Sequence, residues 1–161
     1  MPARSAGLLV YRTPGGELEV LLVHPGGPFW AKKDEGAWSI PKGELNPEED
    51  PLNVAHREFL EEIGQASPEG PRVSLGEVTQ SGGKRVSAWA VEGDLDVSAA
   101  TSNTFELEWP RGSGVVRTYP EVDRVEWTSM AMARVRLLKG QRPFLDRLVE
   151  LLGSPGDATA S

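Results

Sequence analysis

Cysteine is absent from the 161 residues, and histidine occurs only as His24 and His56. Disulfides, thiol nucleophiles and thiolate metal sites are therefore excluded. No apolar run approaches the ~18–20 residues that span a bilayer. The opening MPARSAGLLVYR lacks the apolar core and cleavage site of a secretion signal, so a cytoplasmic location without membrane attachment is expected. Positive charge is also scarce: 17 Lys and Arg face 24 Asp and Glu, giving a net charge of −7. That balance opposes binding to a nucleic-acid polymer. A small polyanion remains possible where cations reverse the field locally. Neither a G-x-x-x-x-G-K-[ST] phosphate loop nor a G-x-S-x-G elbow is present. Repeats and low-complexity blocks are absent as well.

What is present is an ordinary globular composition, 39% hydrophobic and 25% charged. One domain over residues 1–152 is expected, followed by a flexible Pro/Gly/Ala/Ser tail at 153–161. Residues 5–12 and 17–24 read as β-strands around Thr13-Pro14-Gly15-Gly16, and a short strand is expected near 38–40. Residues 72–80 and 84–92 form a second pair around Ser81-Gly82-Gly83, the latter strand buried on both faces. A shorter strand follows near 105–109, and residues 115–119 lead into 119–127, where Glu121, Asp123 and Glu126 cluster with Arg124 around a strand start. Helical periodicity returns from Ser129 and again near Pro143, with Phe144, Leu145, Leu148, Leu151 and Leu152 on one side. Strands interleaved with one central and two terminal helices indicate an α/β (α+β) fold with a mixed sheet between helices.

The loop at 29–42 combines aromatics with lysines. Phe29, Trp30 or Trp38 could stack a base, with Lys32, Lys33 and Lys42 near phosphates; at least one Trp is expected in the core. Arg111, in a Gly-rich turn, could reach a phosphate, although a plain hairpin fits the turn better.

Residues 43–64, GELNPEEDPLNVAHREFLEEIG, carry the strongest pattern. Asp50 can cap a helix that starts with Pro51, and Gly64 can end it. Leu52, Ala55, Phe59 and Ile63 share one apolar side. His56 lies near that side and reads as a packing residue. Glu58, Glu61 and Glu62 stand at i, i+3 and i+4, so three acids crowd the last turns. Like charges one turn apart cost roughly 0.2–0.5 kcal/mol, and the negative helix end adds to the cost. Arg57 relieves part of it. Such a cluster is a solvated acidic face or the holder of a divalent cation. Glutamate oxygens suit Mg²⁺ or Mn²⁺, which could clamp a pyrophosphate and activate water, with Glu58 or another carboxylate as base.

Gly43, Glu49, Arg57, Glu58, Glu61, Glu62 and Gly64 resemble the Nudix box, G-x5-E-x7-R-E-U-x-E-E-x-G-U. Seven fixed matches would arise by chance on the order of once in 10⁶ chains of this length. Phe59 and Gln65 depart from the pattern, both at bulky aliphatic positions. The resemblance implies an α/β/α sandwich and metal-dependent hydrolysis of a nucleoside diphosphate linked to another moiety. Glu58, Glu61 and Glu62 match the metal-ligating acids, the Gly43 carbonyl a backbone ligand, and Arg57 and Glu49 a structural pair. Glu121 resembles a further ligand or base from a later loop, with Asp123 and Glu126 as rivals. The segments SIPKGE, PEVDR and KGQRPFLDRL look most similar to a bacterial subgroup of predicted nucleoside-triphosphate pyrophosphohydrolases. Lys42, Lys33, Trp38, Arg124 and Arg111 are the expected substrate contacts. Nucleoside triphosphates or dinucleoside polyphosphates are the expected substrates, with ADP-ribose, nucleotide sugars or non-catalytic nucleotide sensing as alternatives. A monomer or homodimer would suffice.

Overall fold

The computed structural model describes residues 3–153. In chain order the strands are β1 (Arg4–Arg12), β2 (Glu19–Pro25), β3 (Lys42–Glu44), β4 (Val73–Thr79), β5 (Arg85–Glu92), β6 (Thr104–Glu108), β7 (Val116–Pro120) and β8 (Val122–Ser129). The helices are α1 (Pro51–Ile63), α2 (Met130–Arg136) and α3 (Pro143–Leu152). The expected tail falls almost entirely on 154–161, outside the described residues.

The main sheet runs β4-β5-β1-β2-β8, with β3 also on β1. It is mixed, because β1 pairs parallel with β5 and antiparallel with β2 and β3. β6 and β7 form a separate hairpin. Apolar residues in β1 and β2 are buried on both faces, as expected for central strands. Ala6, Leu8, Val10, Leu21 and Val23 pack against Val54, Ala55, Phe59 and Ile63 of α1. Leu9, Val20 and Leu22 face the opposite way, toward Ala133, Leu137, Phe144, Leu145 and Leu148. Helices therefore cover both faces, giving the α/β/α sandwich. Truncating Phe59, which is fully buried, would cost about 3–5 kcal/mol. The aromatic ring is thus accommodated where the box pattern has an aliphatic residue.

The hairpin β1–β2 is paired only near its turn, through Tyr11↔Val20 and Arg12↔Glu19. Beyond those pairs the strands diverge and residues 38–44 enter the gap. Ser39 bridges to Val23 of β2, while Lys42, Gly43 and Glu44 pair with Gly7, Ala6 and Ser5 of β1. The short strand expected at 38–40 is thus reduced to isolated bridges. The start of the glutamate segment is a strand inside the sheet. Its pairing partner lies ~40 residues away, which no local pattern encodes.

Candidate metal and substrate site

The helix follows its local rules. Asp50 accepts the Asn53 backbone N–H at 3.1 Å, Pro51 opens α1, and Gly64 closes it at φ 77°. Leu52 is only half-buried, and Val54 takes its place in the core. Arg57 meets Glu49 at 2.6 Å, while Glu49 accepts the Asn46 N–H at 2.8 Å. This pair ties the helix to the loop that precedes it. Gln65 donates its side-chain amide to the Asp96 carbonyl at 2.9 Å, so a polar contact replaces the expected aliphatic one. Arg72 donates to His56 Nε2 at 3.0 Å, which fixes that ring as a structural acceptor.

Two contacts set the carboxylates. A Cβ at residue 43 would overlap the Glu58 carboxylate, so glycine alone permits Glu58 to lie against β3. Glu62 accepts the Lys42 backbone N–H at 3.3 Å. Burial, then a hydrogen bond to Glu61 and its negative charge, push the Glu58 carboxyl up to about 7. Burial pushes Glu62 up to about 8, opposed by the Lys42 N–H and reinforced by the charge of Glu58. Lys42 is lowered by burial first and by the nearby Lys84 ammonium next. Burial is the first cause of both rises, and the crowding of like charges adds to it.

Glu121 joins this group across the fold. Its N–H donates to the Asn103 carbonyl at 2.8 Å, and the Asn103 N–H donates to the Glu61 carbonyl at 2.9 Å. The Gly26 N–H donates to the Glu121 carbonyl at 3.0 Å. Glu121 acts on the charge of both Glu58 and Glu62. The rivals are committed elsewhere: Asp123 to His24 Nδ1 at 2.7 Å, and Glu126 to Arg136 at 3.0 Å.

Five oxygen-bearing groups, Glu58, Glu61, Glu62, Glu121 and the Gly43 carbonyl, suit a hard divalent cation. The cradle that Gly43 leaves for Glu58 and the excess negative charge both fit such an ion. Among the described residues, no three acids or histidines are gathered as ligands around one point. Glu62 meets the Lys42 N–H, and Glu58 is hydrogen-bonded to Glu61.

Beside the carboxylates lies a cavity of about 370 Å³, lined in part by Glu62, Glu121, Lys42, Lys84, Gln80 and Trp30. A smaller one of about 110 Å³ adjoins Glu62, Asp123 and Arg124. Lys42 lines the larger of these two cavities together with Glu62 and Glu121. Trp38 is a correction: it is fully buried and donates to Asp34 at 2.7 Å, with Arg124 and Arg136 each 4.9 Å from its ring. A ring so enclosed offers no face to a base. Trp30 takes the wall position instead. The Lys33 ammonium sits 3.9 Å from the Phe29 ring, and Lys33 lines neither of these two cavities. Arg111 occupies the exposed β6–β7 turn and lines neither cavity, so the hairpin reading stands. Arg124 lines the smaller cavity beside Glu62. Gln80 and Lys84 were missed; their only sequence signal is that they flank the Ser81-Gly82-Gly83 turn.

A family model described as NUDIX domain matches residues 1–150. No curated protein matches the chain by sequence. Among solved structures, a C. elegans Ap4A hydrolase in a binary complex is 21% identical, with 92% of this chain and 97% of that one covered and a TM-score of 0.63. The NUDIX domain of Shewanella oneidensis NrtR, complexed with ADP ribose, is 15% identical, with 94% and 89% covered and a TM-score of 0.64. A mutT/nudix family protein from Listeria innocua is 16% identical, with 100% and 99% covered and a TM-score of 0.62. At these identities the likeness is one of fold.

Proposed function

The chain belongs to the NUDIX domain family, and from that premise we propose that it is a divalent-metal-dependent pyrophosphohydrolase acting on a nucleoside triphosphate or dinucleoside polyphosphate. One observation carries the reading: Glu62 and Glu121, from distant parts of the chain, line one cavity with Lys42. Glu58, whose carboxyl feels both Glu61 and Glu121, stands in the same cluster.

Glu58, Glu61 and Glu62, with Glu121 and the Gly43 carbonyl, would hold Mg²⁺ or Mn²⁺. Such an ion supplies a more acidic bound water and neutralises phosphate charge. In the reaction, the oxygen of water bonds to one phosphorus of the pyrophosphate. The bridging P–O bond breaks with its electron pair on the departing phosphate oxygen. Glu58 or Glu121 takes the water proton. Lys42 offsets phosphate charge beside the acids, and Trp30 supplies an aromatic wall for a base.

A panel of nucleoside triphosphates, dinucleoside polyphosphates, ADP-ribose and nucleotide sugars, with Mg²⁺ or Mn²⁺ and product identification, tests this reading. Metal-dependent cleavage of a tri- or polyphosphate is expected. Glu61→Gln should lower kcat by about 10²-fold or more while the protein stays folded. Tight nucleotide binding without turnover of any compound would replace the enzyme by a sensor.

A further inference from the structure

Part of the wall of the cavity beside the carboxylates is built from three distant segments, and its hydrogen-bond polarity follows from one fixed donor. The backbone N–H of Ile40 can only donate, and it does so to Gln141 Oε1 at 3.0 Å. The other end of that fully buried side chain must then be its NH₂ group, which offers only hydrogens. It donates to Ser39 Oγ at 3.0 Å and to the Gln80 side chain at 2.8 Å. The Gln80 atom in that contact is therefore its carbonyl oxygen. The Gln80 NH₂ group is left over, and among the described residues no acceptor meets it. Gln80 lines the large cavity.

Two further features keep it there. Gly140, next to Gln141, passes so close to Gln80 that a Cβ at 140 would stand 2.8 Å from the Gln80 Cα. The Gln80 N–H donates to the Lys84 carbonyl at 2.7 Å, closing the turn and fixing Lys84 beside it. Lys84 and Lys42 line the same cavity. Their ammonium groups and the Gln80 NH₂ offer hydrogens and no lone pairs. Ser39 Oγ, also on this wall, already accepts from Gln141 and donates to the Ile40 carbonyl at 2.7 Å.

We propose that Gln80, Lys84 and Lys42 form a donor-only subsite for a third phosphoryl group, beyond the two joined by the bond that breaks, with Gln141 as the positioning residue that orients Gln80. The subsite deepens the hydrolase reading and rests on it: the carboxylates take the pyrophosphate that reacts, and this wall takes the remainder of a longer phosphate chain. ADP-ribose and nucleotide sugars have only two phosphates and leave it empty.

The test compares kcat/KM for ATP and ADP-ribose in the wild type, Lys84→Met and Gln80→Glu. The glutamate can still accept from Gln141 but presents an oxygen to the cavity. With melting temperatures maintained, both variants should lower the ATP-to-ADP-ribose ratio by about tenfold or more, the size of a lost charge-assisted hydrogen bond. Gln141→Glu keeps the acceptor for Ile40 and loses the donor for Gln80; it should raise KM for ATP with little change in kcat. Should it fail to fold, the other two variants decide. An unchanged ratio in both overturns the subsite. If the wild type hydrolyses neither compound, the catalytic reading fails separately, and calorimetry with inorganic tripolyphosphate decides: binding weakened about tenfold in both variants supports the subsite, while no binding, or equal binding, overturns it.

Discussion

Gly43 and Glu58 stand in a contact that leaves no room for a side chain at 43, since a Cβ there would overlap the Glu58 carboxylate. The backbone of Gly43 is not in a left-handed conformation, so the requirement is space rather than torsion. Gly43→Ala must therefore displace Glu58 while leaving β3 able to form. The expected outcome is a loss of kcat of about tenfold or more, with a higher Mg²⁺ concentration for half-maximal rate. A normal metal titration in a folded Gly43→Ala protein would refute the placement of Glu58.

The retained protons give a pH dependence of stability. Glu58 is pushed to about 7 and Glu62 to about 8, both from an ordinary 4.5. Between those values the folded protein holds protons that the unfolded chain has released. Stability from these groups is thus full at low pH and is lost as pH rises through the folded values. His56 works in the opposite direction, its burial lowering it from 6.5, so the comparison is with Glu62→Gln. Metal-free wild type should lose melting temperature relative to this variant as pH rises from about 4.5 to 8, and Mg²⁺ should restore it. A pH-independent difference would contradict the assignment.

Trp38 and Trp30 separate core from cavity. Trp38→Ala removes a fully buried ring and should cost about 3–5 kcal/mol in chemical denaturation. Trp30→Ala opens the cavity wall and should raise KM for a nucleotide more than it lowers kcat. An equal loss of stability in both, with KM unchanged, would return Trp30 to the core.

Glu121 and Asp123 are two residues apart and make different contacts: Glu121 lines the cavity and Asp123 meets His24. Glu121→Gln should lower kcat by about 10²-fold with stability maintained. Asp123→Ala leaves the buried His24 Nδ1 without its partner at 2.7 Å and should cost about 1–3 kcal/mol. Interchanged phenotypes would mean that Asp123, not Glu121, serves the reaction.

The degree to which each residue was legible follows the range of the force that places it. The span of α1, its Asp50 cap and Gly64 terminus depend on neighbours within a few residues, and the sequence contains all of them. The same holds for the three acids on one face. Glu121 was legible only through resemblance to a family, because its approach to Glu58 runs through Asn103 and no periodicity records it. Trp38 and Trp30 are the same residue type in one loop; which is enclosed depends on Arg124, Arg136 and α2, all more than 80 positions later.

By itself the sequence determined the chemistry: a helix with three carboxylates at its end, preceded by a glycine, in a chain without thiols. The tertiary structure decided what faces them. Only the opening of the β1–β2 hairpin around residues 38–44 brings Lys42 beside Glu62. Only Gln141, fixed by the Ile40 N–H, turns Gln80 and its turn partner Lys84 into a wall of donors. The physical reason is that helix spacing and caps act over one or two turns, whereas the direction of a hydrogen bond at residue 80 is settled by a backbone donor 40 positions earlier and an amide 61 positions later.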